Sequence, residues 1–379
     1  MVKETDMITI VIPTKNRSNF LTRQLLYYSK LDFKGCFCIG DSSNAEHLER
    51  SKKLIRALNG KLNIIHREYP ESIVHHCVQQ LVKLVNTPYA AYVSDDDFLV
   101  PSGLEKCRLF LEQHPEYSAA HGVAVKIYTR DSRPHGQIIL CKRKPQPVEE
   151  AESASERFLH YISHLSDVCY SVHRVESLLT MYESVHLFPD GRFSNVLLPN
   201  CLSIINGKIK ELGSLSLVRH MQDEPTRTRE EIDTFFWITS EKWLSYYHNF
   251  RDILAKELMR QDGITLEEAQ QVVKQGFSIF LSKSLKRECR KYYPEYNDAL
   301  SDVRGSHNDK FENLRSLAGR MPGARRSWRW MYRLNSLLRK RLVERDERSL
   351  PALLDPSSPY HADFMPIYRA VTTPPEGVE

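Results

Sequence analysis

Short β-branched apolar runs alternate with amphipathic stretches along the N-terminal part of the chain. The run at 8–12 is closed by Pro13, which is typical of a strand buried on both faces of a parallel sheet. Similar runs predict further strands at 36–39, 62–65 and 89–93. Apolar residues at helical spacing predict intervening helices at 20–28, 45–58 and 73–85. These strand–helix repeats indicate an α/β fold with a mostly parallel, doubly wound sheet flanked by helices.

After residue 223 the spacing becomes helical. Apolar residues recur at steps of 7, 4, 3, 4 and 4, which predicts one face of a long helix: Phe236, Trp243, Tyr247, Phe250, Leu254 and Leu258. We expect this face to pack on the N-terminal part of the chain. The predicted organisation is an α/β domain at 1–222, a helical C-terminal domain at 223–350 and a tail at 351–379. Six prolines in its 29 residues predict that the tail is extended or loosely packed.

The net charge of +5 over 379 residues is unevenly distributed. Residues 311–350 contain eleven Arg or Lys and four acidic residues, a local net charge of +7. Within 320–345, apolar residues including Trp328 lie opposite basic ones at helical spacing, which predicts a basic amphipathic helix. A helix of this kind binds anionic membrane surfaces. The same pattern is equally typical of a helix whose apolar side packs on the domain and whose charged side faces solvent. No nucleic-acid recognition motif accompanies the charge, so nucleic acid is not an expected partner.

The sequence also bears on location. No apolar run approaches the roughly 18 residues that a membrane-spanning helix needs. The charged start of the chain lacks the pattern of a secretory signal. We therefore expect a cytoplasmic protein, with peripheral contact at the inner face of the membrane through 320–345 as an extension of that prediction.

Polar residues follow the predicted strands at their carboxyl ends, where parallel sheets bind ligands. These stretches lie at 14–17, 41–43 and 94–97. The first strand is followed neither by a dinucleotide-binding G-x-G-x-x-G nor by a phosphate-binding G-x-x-x-x-G-K-[ST] motif. Three adjacent carboxylates, Asp95, Asp96 and Asp97, repel one another, which raises their pKa values unless a cation compensates. Hard oxygen ligands of this kind suit Mg²⁺ or Mn²⁺.

An alternative role for the three carboxylates is to cap the next helix. Ser102 and Glu105 form a capping-box pattern, which predicts a helix that begins after Ser102 and has its own N-cap. The carboxylates lie upstream of that helix. The sequence therefore favours a metal–diphosphate role for them over a solvated acidic turn.

Three motifs occur in order: V-I-P-T-K-N-R at 11–17, G-D-S-S at 40–43, and T-P-Y at 87–89 leading into S-D-D-D-F at 94–98. Together they resemble the nucleotide-binding half of GT-A glycosyltransferases, closest to family 2 and to bacterial family-2-like domains with a D-D-D-F motif. The resemblance covers about 7–125 well and 165–222 weakly. It implies a GT-A-like (Rossmann-like) sheet and transfer of a sugar from a nucleotide diphosphate sugar to an acceptor hydroxyl, with Mn²⁺ or Mg²⁺ as cofactor. A bound cation would stabilise the negative charge on the departing diphosphate.

The resemblance also implies roles for individual residues. Asp41 is expected to contact the base and Asp95 the ribose, with Asp96 or Asp97 on the metal. The register of the acidic motif leaves the order of these carboxylates open. The other residues expected at the nucleotide site are Pro13, Thr14 and Arg17.

Arg219 and His220 follow a predicted late strand at 215–218. Many GT-A enzymes place a late histidine on the metal, and His220 fits that position. Neutral imidazole is a suitable metal ligand, and Arg219 would bind phosphate through two N–H groups. The alternative is that His220 is a surface residue.

The catalytic base is expected about twelve residues before a glycine that precedes a strand, as in inverting relatives. Counting back from Gly207 gives Asn195, whose amide cannot act as a general base at neutral pH. Asp190 in the preceding loop is a candidate carboxylate, although Pro-Asp-Gly is also strong turn chemistry. An amide at 195 is equally compatible with a retaining reaction, which needs no such base, and with a domain that has lost activity.

The sequence as a whole predicts a metal-dependent glycosyltransferase in cell-surface polysaccharide or related glycan assembly. Its expected partners are a nucleotide diphosphate sugar donor and a glycan or lipid-linked acceptor. Two further functions remain open. One is a nucleotidyl- or phosphoglycosyl-transferring enzyme on the same nucleotide-binding half. The second is a non-catalytic nucleotide-binding scaffold partner, which Asn195 at the expected acidic position suggests.

Overall fold

The computed structural model of the chain describes residues 8–70, 72–131, 133–189, 191–222, 233–292 and 349–374, without the side chains of residues 291 and 292. The strands are β1 (Ile8–Thr14), β2 (Cys36–Asp41), β3 (Asn63–Glu68), β4 (Tyr89–Tyr92), β5 (Phe98–Leu99), β6 (Tyr117–Thr129), β7 (Ile138–Lys144), β8 (Val172–Arg174) and β9 (Lys208–Met221).

The helices on either side of these strands are α1 (Ser18–Lys30), α2 (Ala45–Ala57), α3 (Val74–Val82), α4 (Pro101–Gln113), α5 (Ala154–Ser163), α6 (Val175–Glu183), α7 (Leu198–Asn206), α8 (Thr234–Ile238), α9 (Trp243–Asp262), α10 (Leu266–Tyr292), α11 (Leu350–Leu354) and α12 (His361–Thr372). A 3₁₀ turn at Val185–Leu187 and a π-helical turn at Phe193–Leu197 lie between α6 and α7.

One nine-stranded sheet lies at the centre of the described residues, in the order β3-β2-β1-β4-β8-β6-β9-β5, with β7 also paired to β6. Strands β1 to β4 run parallel, and so do β6 and β9, whereas β5, β7 and β8 are antiparallel to their neighbours. Because β8 is antiparallel to both β4 and β6, six of the nine strands share one direction. The predicted α/β fold with a mostly parallel sheet is confirmed.

Helices cover both faces of this sheet. Ile10 and Ile12 of β1 belong to an apolar cluster with α1, α4, α11 and α12, whereas Val11 belongs to a second cluster with α3 and α5 to α7. Neighbouring residues of one strand point to opposite faces, so both faces of β1 are buried. This double burial explains its continuous β-branched run.

The helices after residue 233 pack on the second cluster, as predicted. Phe250, Leu254 and Leu258 of α9 are fully buried, and α9 packs against α5, α7 and α10. The prediction of one long helix from Phe236 onward is wrong, because Phe236 lies on the separate α8 and is exposed. No helix among the described residues is long and apolar enough to cross a membrane.

The C-terminal tail is helical, so the prediction that it is extended or loosely packed is wrong for residues 349–374. Leu353, Phe364 and Ile367 are fully buried, and α12 packs against α1, β7 and β9. Pro351 lies in the first turn of α11, where a helix does not need its missing N–H. The predicted basic helix at 320–345 lies outside the described residues.

The helix after the carboxylates begins earlier than its capping-box pattern predicts. α4 starts at Pro101, a residue favoured in the first helical turn, and its N-cap Val100 offers no side-chain hydrogen bond. Ser102 Oγ instead donates to Asp363 Oδ1 of α12 at 2.6 Å. The predicted Ser102 N-cap is therefore wrong, because its side chain holds the C-terminal helix.

Candidate functional site

The carboxyl ends of β1, β2 and β4 meet at one edge of the sheet. Thr14, the last residue of β1, is in register with Asp41, the last residue of β2. Pro13 lies within β1 itself, opposite Gly40 of β2. The segment that contains Asp95 follows β4, the parallel neighbour of β1 on its other side. The three stretches that the sequence predicts at the site are thus brought together.

The loops after β1 and β2 are joined by Asn16. Its backbone N–H donates to Ser43 Oγ at 2.7 Å, and its Oδ1 accepts from the Asn44 backbone N–H at 2.8 Å. Asn16 has a φ of 56°, a left-handed conformation that asparagine adopts more readily than most residues. Together these bonds hold the loop after β1 against the loop after β2.

Asp95 is buried, and both of its carboxylate oxygens have partners. Thr14 Oγ1 donates to Oδ2 at 2.8 Å, and Arg17 Nη1 lies 3.2 Å from Oδ1. Burial raises the pKa of Asp95, Arg17 opposes that shift, and the neighbouring Asp96 reinforces it. Asp95 thus joins the ends of β1 and β4 within the protein.

Asp97 is equally buried and joins the same loop to β9. The His220 backbone N–H donates to its Oδ1 at 2.9 Å, and Arg219 Nε donates to its Oδ2 at 3.0 Å. Burial raises the pKa of Asp97, as does the Asp96 charge, while Arg219 lowers it. Both oxygens of Asp97 therefore have protein partners, like those of Asp95.

Asp96 differs from its two neighbours because its side chain is 13 % exposed. Arg17 Nη2 donates to its Oδ2 at 2.7 Å. Within the described residues, Oδ1 has no hydrogen-bond partner. Of the three adjacent carboxylates, Asp96 is the one that retains an oxygen for a ligand or metal ion.

Two buried polar residues of α1, to which no sequence motif pointed, fix the backbone of the acidic loop. Gln24 Nε2 donates to the carbonyls of Ser94 at 2.8 Å and Asp97 at 2.6 Å. Arg23 Nη2 donates to the carbonyl of Asp96 at 2.5 Å. Both residues lie on the buried side of α1, at helical spacing from Phe20 and Tyr27. Polar residues on the apolar face of a helix were the sequence signal that could have identified them.

His220 is buried within β9 and is held through both ring nitrogens. Nδ1 lies 2.8 Å from Arg23 Nη1 and accepts, because arginine can only donate. Nε2 lies 2.9 Å from Thr129 Oγ1. Burial, with the Arg23 charge, lowers the pKa of His220 to about 3, so the ring is neutral. Neither nitrogen is free for a metal ion in this arrangement, so the predicted ligand role does not fit, and His220 instead positions Arg23.

Arg219, which contacts Asp97, also belongs to a second cluster of charged side chains. Arg219 Nη1 is 3.4 Å and Lys144 Nζ is 3.7 Å from Asp167 Oδ2, and the Arg219 guanidinium lies 4.7 Å from the centre of the Tyr170 ring. Lys144 is 5 % exposed, and burial lowers its pKa. Asp167 is 37 % exposed. Arg219 therefore lies between the acidic loop and a partly open carboxylate.

Asp41 has a fully buried side chain. Its Oδ1 accepts from the Ser43 backbone N–H at 2.9 Å, and His66 Nε2 lies 3.6 Å from Oδ2, beyond hydrogen-bond length. Burial raises the pKa of Asp41, but His66 and Ser43 outweigh it and hold the value below its ordinary range. Asp41 thus shapes the loop after β2, and its contact with a base stays a prediction.

The two residues that the sequence predicts for catalysis are Asp190 and Asn195. Asp190 is outside the described residues. Asn195 is half-buried in the π-helical turn before α7. Within the described residues, no hydrogen bond joins Asn195 to the acidic loop. Their roles stay predictions.

The charges around the acidic loop balance when every group is ionised. Four cationic side chains face four carboxylates: Arg17, Arg23, Lys144 and Arg219 with Asp95, Asp96, Asp97 and Asp167. These eight side chains together therefore offer no net attraction to a diphosphate. A divalent cation would offset the negative charges of the two phosphate groups.

The described residues contain no group of three or more His, Cys, Asp or Glu arranged to hold a metal ion. Mg²⁺ commonly needs only one or two carboxylates, with substrate phosphates and water as its other ligands. Asp96, with its open oxygen and its place beside Arg17, fits such a set. The residues present are therefore compatible with a metal ion held jointly by the protein and a phosphate ligand.

No protein-family model matches the sequence, and no curated protein matches it. Among solved structures, the chain is similar to S. aureus TarS (12 % identity, TM-score 0.39), covering 72 % of this chain and 54 % of that one. It is also similar to S. aureus TarS 1-349 in complex with UDP-GlcNAc (12 %, 0.41), covering 75 % and 91 %. A third is the mannosyltransferase PcManGT from Pyrobaculum calidifontis in complex with GDP-Man and Mn²⁺ (12 %, 0.40), covering 85 % and 82 %. The chain spans about half the length of the first of these structures.

Proposed function

We propose that the protein transfers a glycosyl group from a nucleotide diphosphate sugar to an acceptor hydroxyl, with Mn²⁺ or Mg²⁺. The observation that carries the proposal is the acidic loop after β4. Asp95 and Asp97 are anchored within the protein, while Asp96 keeps an oxygen free beside Arg17. The loop lies at the carboxyl edge of a mostly parallel sheet, where such folds bind nucleotides.

The three carboxylates have different roles in the proposed reaction. Asp96 is the residue that would hold the metal, with the donor's phosphate oxygens as further ligands. Asp95 and Asp97 keep the loop in place, which replaces the sequence-based assignment of Asp97 as an equal candidate for the metal. Asp95 remains near the expected ribose position, and Thr14 and Arg17 line the same edge.

A bound divalent cation would neutralise the negative charge that grows on the diphosphate as the glycosidic bond breaks. Arg17 orients the Asp96 carboxylate and, with its side chain 31 % exposed, has N–H groups available to a phosphate. Arg219 is held by Asp97 and Asp167, and would present positive charge at the neighbouring side of the donor. These groups are fixed before the ligand arrives, so little reorganisation opposes the reaction.

Removal of the acceptor proton is assigned to Asp190 as part of the proposal. An amide at 195 cannot accept that proton, so an inverting reaction needs a carboxylate from elsewhere. If the reaction retains configuration, Asp190→Asn has little effect on turnover. The anomeric configuration of the product, together with the activity of this variant, therefore decides between an inverting and a retaining reaction.

The acceptor is proposed to be a glycan or lipid-linked glycan in cell-surface polysaccharide assembly, reached by peripheral membrane contact through 320–345 in the cytoplasm. The basic composition of that segment supports this part of the proposal. Sedimentation with anionic and neutral vesicles tests it. Equal binding to both, or binding to neither, contradicts the membrane contact.

Product analysis tests the reaction itself. From a sugar nucleotide, glycosyl transfer releases nucleoside diphosphate and phosphoglycosyl transfer releases nucleoside monophosphate, whereas nucleotidyl transfer to a sugar phosphate releases pyrophosphate from a nucleoside triphosphate. We expect nucleoside diphosphate from one member of a panel of sugar nucleotides with Mn²⁺ and a membrane glycan extract, and no pyrophosphate from a parallel panel of nucleoside triphosphates with sugar phosphates. Asp96→Asn should abolish the release, and Asp32→Asn, which alters an exposed carboxylate paired with Lys34, should not. Donor binding without turnover favours the non-catalytic scaffold, for which Asn195 at the expected acidic position is the supporting observation.

A further inference from the structure

The segment before β8 lies at the same edge of the sheet as the acidic loop. Because β8 is antiparallel to β4, with Val172 opposite Ala91, the residues that precede β8 lie beside the residues that follow β4. Strand β9 runs in the same direction as β4, so Arg219, near its carboxyl end, also lies toward this edge. Asp167 belongs to the segment before β8 and contacts Arg219, which in turn contacts Asp97.

The polar residues along this edge follow the order of the strands. Asp41 ends β2, the acidic loop follows β4, and Asp167 precedes β8, which is the next strand beyond β4. Neighbouring strands of a sheet are about 5 Å apart. In a sugar nucleotide, the glycosyl group is joined directly to the second phosphate. A donor with its base at β2 and its diphosphate at the acidic loop would therefore extend its sugar toward β8 and Asp167.

The backbone on both sides of Asp167 is fixed from the interior of the protein. Tyr161 Oη donates to the Ser166 carbonyl at 2.6 Å, and the Val168 backbone N–H donates to Asn200 Oδ1 at 3.1 Å. Tyr161 and Asn200 are each 1 % exposed. The Asp167 side chain, in contrast, is 37 % exposed. Asp167 is therefore an open carboxylate on a backbone segment that is already held in place.

Only one of the two oxygens of Asp167 has partners within the described residues. Arg219 Nη1 lies 3.4 Å and Lys144 Nζ lies 3.7 Å from Oδ2. Burial lowers the pKa of Lys144, and the charge of Asp167 opposes that shift. Both cations thus hold the carboxylate through Oδ2. Oδ1 has no hydrogen-bond partner in the described part of the chain, which leaves it as an acceptor for a ligand.

We infer that Asp167 determines donor specificity by accepting a hydrogen bond from a hydroxyl or amide N–H group of the donor's sugar. This inference rests on the proposed function. A carboxylate repels the phosphate groups, whereas sugar hydroxyls are neutral donors that match an acceptor oxygen. A site built to hydrogen-bond a substrate hydroxyl discriminates strongly against an analogue that lacks it. Asp96 would hold the metal and the diphosphate, and Asp167 would select the sugar.

Calorimetric titration of the full chain with Mn²⁺ separates a sugar contact from a nucleotide contact. UDP-glucose, UDP-galactose and UDP-N-acetylglucosamine are compared with UDP, GDP-mannose with GDP, and CDP-glucose with CDP. Asp167→Ala removes the carboxylate, and Asp167→Glu keeps its charge but moves it by one methylene group. The matched control is Asp252→Ala, because Asp252 is 43 % exposed and also pairs with an arginine, Arg251, at 2.8 Å.

For the sugar nucleotide that binds most tightly, Asp167→Ala should weaken binding about tenfold, because a hydrogen bond to a charged group is lost. Its nucleoside diphosphate should bind the variant and the unaltered protein equally, which also shows that the variant is folded. Asp167→Glu should lose part of the same affinity, and Asp252→Ala should lose none. Singly deoxygenated analogues of the sugar then identify the contacted group. The analogue that lacks it should bind Asp167→Ala and the unaltered protein equally.

Three results would overturn the inference while the proposed function stands. They are equal weakening of the sugar nucleotide and its nucleoside diphosphate, unchanged binding of both, and unchanged donor binding with a raised KM for the acceptor. The last result would assign Asp167 to the acceptor. Absence of Mn²⁺-dependent nucleotide binding by the unaltered protein would overturn the proposed function itself, and this inference with it.

Discussion

Replacing Asp97 by asparagine separates a structural from a ligand-binding role for the acidic loop. Both carboxylate oxygens accept hydrogen bonds, from the His220 backbone N–H at 2.9 Å and from Arg219 Nε at 3.0 Å. An asparagine side chain has one acceptor oxygen and one NH₂ group. In either orientation of the amide, the NH₂ group faces one of these two donors. Asp97→Asn therefore leaves a buried donor unsatisfied and removes the negative charge that forms an ion pair with Arg219.

The expected loss of stability follows from these contacts. Breaking a buried ion pair by removing one partner costs about 3–5 kcal/mol. Arg219 retains Asp167 at 3.4 Å and is 23 % exposed, which places the loss near the lower end, about 3 kcal/mol. In a chain of this size, that corresponds to a fall in Tm of roughly 4 °C. Asp96→Asn should lower stability by less than about 1 kcal/mol, because Asp96 is partly exposed and keeps an acceptor for Arg17.

Thermal unfolding of the two variants, without nucleotide, is the assay. Asp32→Asn is the matched control, since its carboxylate is 75 % exposed. The anchoring role of Asp97 is refuted if Asp97→Asn melts with the control, or if Asp96→Asn loses as much stability as Asp97→Asn. Either result would mean that the loop is held by contacts other than those of Asp97.

Three further perturbations test other parts of the structure. Phe364→Ala removes a fully buried ring of α12 and should lower the free energy of unfolding by about 3–5 kcal/mol in urea; a loss below about 1 kcal/mol would contradict docking of the tail. Asp262 accepts hydrogen bonds from the backbone N–H groups of Ala154 and Ser155 at the start of α5, so Asp262→Ala should cost about 1–2 kcal/mol, whereas an unchanged Tm would contradict this contact. Burial lowers the pKa of His173 to about 4, so the stability it contributes is present above its unfolded pKa of about 6.5 and is lost as the pH falls. Relative to the unaltered protein, His173→Asn should gain about 2 kcal/mol between pH 7 and pH 5, and parallel pH profiles would exclude this linkage.

Strands β1, β2 and β4 could be predicted from the sequence because their burial leaves a direct signal. A β-branched run closed by Pro13 has few interpretations besides a buried parallel strand. The acidic loop could be predicted for a related reason, since three adjacent carboxylates after a strand are costly without compensation. Local residue chemistry is sufficient for both features.

The partners of those carboxylates could not be predicted, because they depend on distant segments. Arg23 reaches the loop from α1, and Arg219 and His220 reach it from β9, which is 14 residues long and joins the sheet between β6 and β5. The metal role expected for His220 did not fit because its ring is used by Arg23 and Thr129. A sequence pattern indicates which residues lie at a strand end, but not which of their atoms already have partners.

The structure of the C-terminal tail also could not be predicted from its local sequence. Its prolines favoured an extended chain, yet Pro351 occupies the first turn of a helix. The burial of Phe364 and Ile367 against α1 supplies the stabilisation that local propensity lacks. Tertiary packing thus decides the structure of this segment.

The most direct test of the central claim is calorimetric titration of UDP, GDP and CDP into the protein, with and without Mn²⁺. The unaltered protein and Asp32→Asn should bind one of these nucleotides much more tightly with Mn²⁺ than without it. Asp96→Asn should lose that metal-dependent gain while keeping its Tm. Metal-dependent binding that survives Asp96→Asn unchanged, or no nucleotide binding by the unaltered protein, would contradict the assignment of the acidic loop as the donor site.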